Sequence, residues 1–257
     1  MTPDVVVDIG NTMMKWGRNS SIAGKCEIHT VRRLNHNDPK QWATAAEEWD
    51  LKPGTHWVVA GVSPSAQERF VAWCRSRGDE VRVIDRYDQI PIAVEVDEPM
   101  RVGLDRLFGA LAAANYSPST PCVVIDVGTA MTVNFVIPDR RFVGGAILPG
   151  PRLMANSLND YTAKLPRINP KPLDPKDYSW SNTEAAIATG INAAVTGAAR
   201  VLLERFAADH PGRFQIYLTG GDMQFLMGLG AHEFDAAVLP AKALTLTGIW
   251  IAAEALP

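Results

Sequence analysis

Two short segments of the 257-residue chain carry the residue types that phosphate chemistry needs. Asp8-Ile9-Gly10-Asn11-Thr12 follows the apolar run Val5-Val6-Val7, and Asp126-Val127-Gly128-Thr129-Ala130 follows Val123-Val124-Ile125. A tight turn after a buried strand points backbone N–H groups into one concavity, which suits phosphate oxygens. Glycine there allows close approach because no Cβ intervenes. Asn11, Thr12 and Thr129 add neutral donors, and Asp8 and Asp126 are placed to hold a hydrated cation against phosphates. One Asp-x-Gly alone is explained as well by an ordinary hairpin turn, where both residues are favoured. Two copies in matching contexts favour phosphate. The chain has no GxxxxGK[ST] stretch, which argues against a Walker-type loop.

Other residues have both a chemical and a plain structural reading. In Gly103-Leu104-Asp105-Arg106, Asp105 stands in the first turn of an expected helix, where the dipole favours an acid regardless of function. Thr183 opens another expected helix and suits an N-cap. Gly144 to Gly150 reads as a strand-to-helix turn, with Pro151 starting the helix. Gly220-Gly221-Asp222 reads as a turn between strand and helix. His29, His36, His56, His210 and His232 share no ligand spacing, so a zinc centre is not expected. Trp42, Trp49 and Trp73 fall on helical stretches and read as core or interface residues rather than a stacking platform.

The elements that must position these residues come in two rounds. In the first, a strand at 5–7 turns into a returning strand at 13–17. Helices follow at 38–49 and 64–77, with strands at 56–62, 81–84 and 92–96, and then a helix from Gly103 to about Asn115. Tyr116-Ser117-Pro118-Ser119-Thr120-Pro121 is the clearest breaker cluster, and the domain boundary is placed there, dividing 1–117 from 118–257. The second round repeats the first: a strand, Asp126-Val127-Gly128, a returning strand at 131–137 and a third strand ending at Gly144-Gly145. A helix at 183–209, a strand at 214–218 and helices near 223–229 and 242–254 complete it. An Asp-x-Gly hairpin in each half is an internal repeat at domain scale. The pattern implies an α/β fold with mixed sheets and helices on their faces.

Composition narrows the partners. With 47% apolar and 21% charged residues and a net charge of −3, the chain resembles an ordinary globular protein, with no electrostatic case for nucleic acid or a membrane surface. Cys26, Cys74 and Cys122 are too few and too scattered for a disulfide framework, and Cys122 reads as a packed thiol. The N-terminus lacks the pattern of a signal peptide, and no stretch is expected to span a bilayer. A cytoplasmic location is expected.

Taken in order, these motifs resemble those of type III pantothenate kinases, within the superfamily of actin, sugar kinases and heat-shock chaperones. Asp8 to Thr12 with Lys15 and Gly17 resembles the first phosphate motif, and Asp126 to Thr132 the second. Gly103 to Arg106 matches a GxDR element, and Gly144 to Gly150 a GGxIxPG element. Asn182 to Ile187 and Leu218 to Asp222 resemble later elements, the second of them near the adenosine. The resemblance implies two ribonuclease H-like (actin-like ATPase) halves closing on a nucleotide cleft. It further implies ATP held by Asp8, Ile9, Gly10, Asn11, Thr12, Met13, Met14, Lys15, Thr129, Gly220 and Gly221. Asp105 would be the general base, with Gly103, Leu104, Arg106 and Thr183 also binding pantothenate, and Arg106 gripping its carboxylate. Mg2+ would sit at Asp8 through water, and a monovalent cation, K+ or NH4+, at Asp126. A homodimer is implied.

Three positions depart from the family pattern. Val96 and Glu98 stand where many members carry tyrosine and asparagine, and Asn134 where many carry aspartate. They keep open a same-fold kinase or phosphohydrolase with another small acceptor. A regulatory protein of the Bvg accessory factor type is the alternative from a different class, and intact Asp8, Asp105 and Asp126 argue for an enzyme.

Overall fold

The computed structural model describes residues 2–19, 28–229, 234 and 236–256. Cys26 and His232 lie outside them. The chain divides into two compact units. The first is Met1–Tyr116 with Arg140–Phe142 and Ala243–Pro257; the second is Ser117–Asp139 with Val143–Lys242.

In the first unit, β1 (Val5–Ile9) is buried along its whole length, as an apolar run flanked on both edges must be. It pairs antiparallel with β2 (Met14–Asn19), which pairs antiparallel with β3 (Ile28–Leu34). On its other edge β1 runs parallel to β4 (His56–Gly61), and β4 to β5 (Glu80–Val83), so the sheet order is β3-β2-β1-β4-β5. Helix α1 (Pro39–Glu48) joins β3 to β4, and α2 (Pro64–Ser76) joins β4 to β5. Both begin with proline in the first turn, and Asp38 caps α1 by accepting from the N–H groups of Lys40 and Gln41. Trp16, Trp42 and Trp57 are fully buried around Phe70, with Trp49 beside them. Trp42 and Trp49 are core residues, Trp73 is partly buried against the same cluster, and Trp16 and Trp57 join it from strands β2 and β4.

The second unit repeats this plan. β7 (Cys122–Val127) pairs antiparallel with β8 (Ala130–Ile137) and parallel with β10 (Phe214–Thr219), which pairs parallel with β11 (Ala236–Pro240). With β9 (Arg141–Pro149) beside β8, the order β9-β8-β7-β10-β11 matches β3-β2-β1-β4-β5 position for position. The short β6 (Ala93–Val94) pairs with Arg141 and Phe142, the part of β9 counted with the first unit. Cys122 is buried in β7, and burial pushes its thiol up to about 12, so it is a packed residue.

Several sequence expectations change. β9 does not stop at Gly144-Gly145: these residues take φ of 103° and 145° and kink the strand while it continues to Pro149. The strand at 92–96 shrinks to two residues, and the helix at 223–229 is a 3-10 turn, Met223–Leu226. β3 and β11 escaped notice because each is an edge strand with much of its length exposed, so neither has the apolar run of a central strand. The expectation that no stretch suits a membrane span is also corrected. Helix α5 (Thr183–Asp209) is long and apolar enough by length and composition. Its Ile187, Ile191, Val195, Ala199, Leu203 and Phe206 form one stripe in the core cluster of the second unit, the pattern of a core helix.

Two helices of the first unit are buried nearly all round: α3 (Leu104–Tyr116) and α6 (Leu244–Ala255). They pack on each other, and α6 also packs on β1, β2 and β4. A Cβ at Gly248 would lie 1.9 Å from the Phe108 carbonyl oxygen, so the approach of the helices depends on that glycine. Gly248→Ala should therefore destabilise the protein by about 1–3 kcal/mol, the usual scale of overpacking, read as a lower midpoint in urea. An unchanged midpoint would show that α3 and α6 can separate at no cost.

Candidate active site

The first hairpin is built on the β1–β2 ladder, where Asp8 faces Lys15 and Ile9 faces Met14. Gly10 N–H donates to the Met13 carbonyl at 3.0 Å, closing the turn. Asn11, Thr12 and Met13 are exposed at its tip, whereas the side chains of Ile9 and Met14 are buried and leave only backbone to offer. Asp8 is buried at the strand end, with Lys15 Nζ 3.2 Å from its Oδ2. On the other edge, Val62 N–H donates to the Ile9 carbonyl at 3.0 Å, and a Cβ at Gly61 would come within 2.6 Å of that oxygen. Gly61 is thus part of the scaffold of this turn, which sequence reasoning missed.

Residues far from the hairpin in sequence reach it. No motif in the sequence singles out His36, yet its Nδ1 lies 3.2 Å from the Gly10 carbonyl oxygen.

Asp105 begins α3 in the same unit. Its Oδ1 accepts from Arg106 N–H at 2.9 Å, and a Cβ at Gly103 would sit 2.5 Å from that oxygen. The glycine of the GxDR element therefore makes room for the carboxylate to fold back over it. Asp105 keeps open surface, yet protein crowds it on several sides. That loss of water raises its carboxyl above the ordinary range, and the negative charge of Asp8 adds to the rise; the N–H and guanidinium of Arg106 oppose it. The Arg106 guanidinium lies over the Phe142 ring, 5.4 Å from its centroid. Leu104 and Gly103 are half-buried beside them.

In the second unit, Gly128 N–H donates to the Ala130 carbonyl at 3.0 Å and Gly150 N–H to the Thr129 carbonyl at 2.9 Å. A Cβ at Gly150 would lie 1.9 Å from the Gly128 carbonyl oxygen, so the GGxIxPG turn presses against the second hairpin. By contrast, a Cβ at Gly128 would meet only ordinary contacts of 3.7 and 3.8 Å, and the residue has no positive φ. Neither steric contact nor backbone φ demands glycine at this position.

Gly220 closes the same region. It has φ 94°, and a Cβ on it would lie 2.3 Å from the Val127 carbonyl oxygen and 2.5 Å from Asp126 Oδ1. Asp222 N–H donates to the Val127 carbonyl at 2.9 Å, and its buried carboxylate pairs with Arg152 at 2.7 Å. Arg152 is a further residue without a sequence signal. From Gln224 and Phe225 onward, a cavity of about 820 Å³ opens against Thr196, Gly197 and Arg200 of α5 and Tyr178. Asn182, not Thr183, caps α5, its Oδ1 accepting from Ala185 N–H at 2.9 Å. Thr183 is exposed beside it. Asn134 is buried and donates to Thr132 Oγ1 at 3.0 Å, and exposed Glu98 pairs with Arg101 at 3.1 Å. Among the described residues, no three His, Cys, Asp or Glu side chains converge as a metal cluster.

Known proteins were compared with this geometry. A family model described as type III pantothenate kinase matches residues 5–205. The type III pantothenate kinase of Thermus thermophilus is 33% identical over 232 residues, covering 88% of this chain and 90% of that protein. A Campylobacter jejuni structure described as a Baf family transcriptional activator has a TM-score of 0.56 at 20% identity and 97% coverage of both chains. The activator of 2-hydroxyisocaproyl-CoA dehydratase from Clostridium difficile, solved with ADPNP, has a TM-score of 0.54 at 12% identity, covering 99% of this chain and 95% of that one. The two structural likenesses bear on fold alone and show an actin-like ATPase and sugar-kinase architecture.

The raised carboxyl of Asp105 has a stability consequence. A carboxyl raised in the folded state supports folding while protonated and loses that support as pH rises through its folded pKa. Asp105→Asn should therefore be more stable than the parent at pH 7, with the gap closing as pH falls below the ordinary carboxylate range. Urea midpoints at the two pH values measure this, and a less stable variant at pH 7 would overturn it.

Proposed function

The chain belongs to the type III pantothenate kinase family, and from that membership we propose how its residues divide the phosphorylation of pantothenate by ATP. The product is 4'-phosphopantothenate, and the reaction opens coenzyme A biosynthesis. The observation that carries the assignment of roles is the placement of Asp105 beside Asp8 in one unit, close enough for Asp8 to raise its carboxyl.

The exposed turn Asn11–Met13, with the backbone of Asp8 to Lys15 and the Lys15 ammonium, takes phosphate oxygens of ATP. Thr129 and the bare backbone of Gly128 offer donors of the same kind. The purine lies by Gly220 and Gly221, in the cavity that begins at Gln224 and Phe225, whose volume suits a nucleoside. Mg2+ fits Asp8 through water, because one carboxylate and the nucleotide phosphates suffice for that ion. When bound it neutralises charge on the phosphates. Asp126, half-buried against Gly220, is the residue for K+ or NH4+.

Asp105 accepts the proton of the primary hydroxyl as that oxygen attacks the γ-phosphorus in line. The new P–O bond forms as the bond to the β-phosphate oxygen breaks, and ADP leaves. A raised carboxyl is a stronger base once ionised, so the crowding that costs stability serves proton removal. The work is positioning and charge neutralisation rather than covalent chemistry. Arg106, seated over the Phe142 ring, takes the pantothenate carboxylate with its fork, and Gly103, Leu104 and Thr183 complete the acceptor site. The negative charge of Glu98 is offset by Arg101. We assign the protein as a cytoplasmic homodimer, as the family resemblance implies.

A coupled ADP-release assay with and without pantothenate tests the reading, and ADP release indifferent to pantothenate would overturn the acceptor. Within that assay Asp105→Asn should lower kcat by roughly 10²–10⁴-fold, with nucleotide affinity by calorimetry retained. Arg106→Lys keeps the charge but loses the bidentate fork. It should raise the KM for pantothenate well above any change in the KM for ATP, whereas equal rises would place Arg106 in a structural role.

A further inference from the structure

We infer that His36 is a positioning residue for the first phosphate turn: by holding the Gly10 carbonyl, it aims the Asn11 N–H at a phosphate of the nucleotide. The inference rests on the phosphate role proposed above for that hairpin. His36 stands in the turn between β3 and α1, and its half-buried ring brings Nδ1 to 3.2 Å from the Gly10 carbonyl oxygen. A carbonyl only accepts, so the ring must carry its proton on Nδ1.

The turn that presents His36 is braced by its neighbours. Asn35 N–H donates to Gln41 Oε1 at 3.0 Å, and the Asn35 carbonyl accepts from Trp42 Nε1 at 2.9 Å and from Asp38 N–H at 3.3 Å. Asn37 N–H donates to Asn35 Oδ1 at 2.9 Å, and Asn37 Oδ1 accepts from Arg69. Trp42 is fully buried, so the loop is tied to the core and the imidazole is held by more than its own backbone.

The consequence follows from peptide geometry. In a planar trans peptide, the carbonyl of one residue and the N–H of the next point in opposite directions. Pinning the Gly10 carbonyl toward His36 therefore turns the Asn11 N–H away from it, at the exposed tip of the hairpin. Glycine lacks the Cβ that would otherwise restrict rotation of this peptide plane, so the orientation must be imposed from outside residue 10. The Gly10 N–H is already tied to Met13, and His36 ties the other end of the residue. An N–H set in place before binding loses less entropy when the phosphate arrives.

The test compares the parent, His36→Ala and His36→Asn, whose side-chain amide can place a donor near the position of Nδ1. His36→Ala should raise the KM for ATP about fivefold to tenfold, the usual net worth of one hydrogen bond, and leave the KM for pantothenate unchanged. His36→Asn should recover most of the loss. Amide exchange at Gly10, followed without nucleotide, should quicken in His36→Ala and return toward the parent rate in His36→Asn. An unchanged ATP KM in His36→Ala, equal rises in both KM values, or failure of His36→Asn to recover would overturn the inference while leaving the kinase reading intact. A parent protein that binds no nucleotide by calorimetry would instead overturn the phosphate role of the hairpin, and the aim of Asn11 with it.

Discussion

The structure depends on one arrangement made twice: a central strand whose two edges are filled in opposite senses. β1 has an antiparallel neighbour in β2 and a parallel one in β4, and β7 has β8 and β10 in the same places. An antiparallel partner reached by a tight turn must start where the central strand ends. A parallel partner ends at that same edge. Each sheet therefore gathers a hairpin turn and a strand-to-helix turn at one end: Gly10 with Gly61, and Gly128 with Gly220. Parallel α/β sheets bind ligands at this edge because the loops there are free to vary while the strands are not.

That crowding sorts the glycines by cause. Gly61, Gly145, Gly150, Gly220 and Gly248 each face a backbone oxygen closer than any Cβ tolerates, so the fold itself requires them. Gly128 faces no such obstacle. Gly103 is a third kind, since its missing Cβ is filled by the carboxylate of Asp105 two residues later. The same residue type thus serves close chain packing at some positions and the placement of a carboxylate at another.

The carboxylates divide in a comparable way. Asp79 is buried and accepts from the N–H groups of Gly54 and Thr55, from Trp57 Nε1 and from Arg77 Nε, so its charge is fully compensated and it holds the first unit together. Asp105 is met by the N–H groups of Arg106 and of its own residue and by the Arg106 charge, yet loss of water and the charge of Asp8 outweigh them and raise its carboxyl. Nothing in the local sequence separates the two aspartates, because compensation comes from residues brought in by the tertiary fold.

By itself the sequence determined what short range dictates. The apolar runs before Asp8 and Asp126, the prolines at 39 and 64 and the ordered motifs specified the central strands, the helix starts and the family. These signals are legible because burial on both faces, a fixed φ and motif order are properties of neighbouring residues. The edge strands β3 and β11 were not legible, since a half-exposed strand has a weak apolar pattern, and Gly144-Gly145 looked like an end because glycine marks both a stop and a kink. Only the tertiary structure decided that His36 meets Gly10 across 26 residues, that Arg152 meets Asp222 across 70, and that Phe142 lies under Arg106. Each of these depends on how the sheet brings distant loops to one edge, and no spacing within the chain encodes that distance.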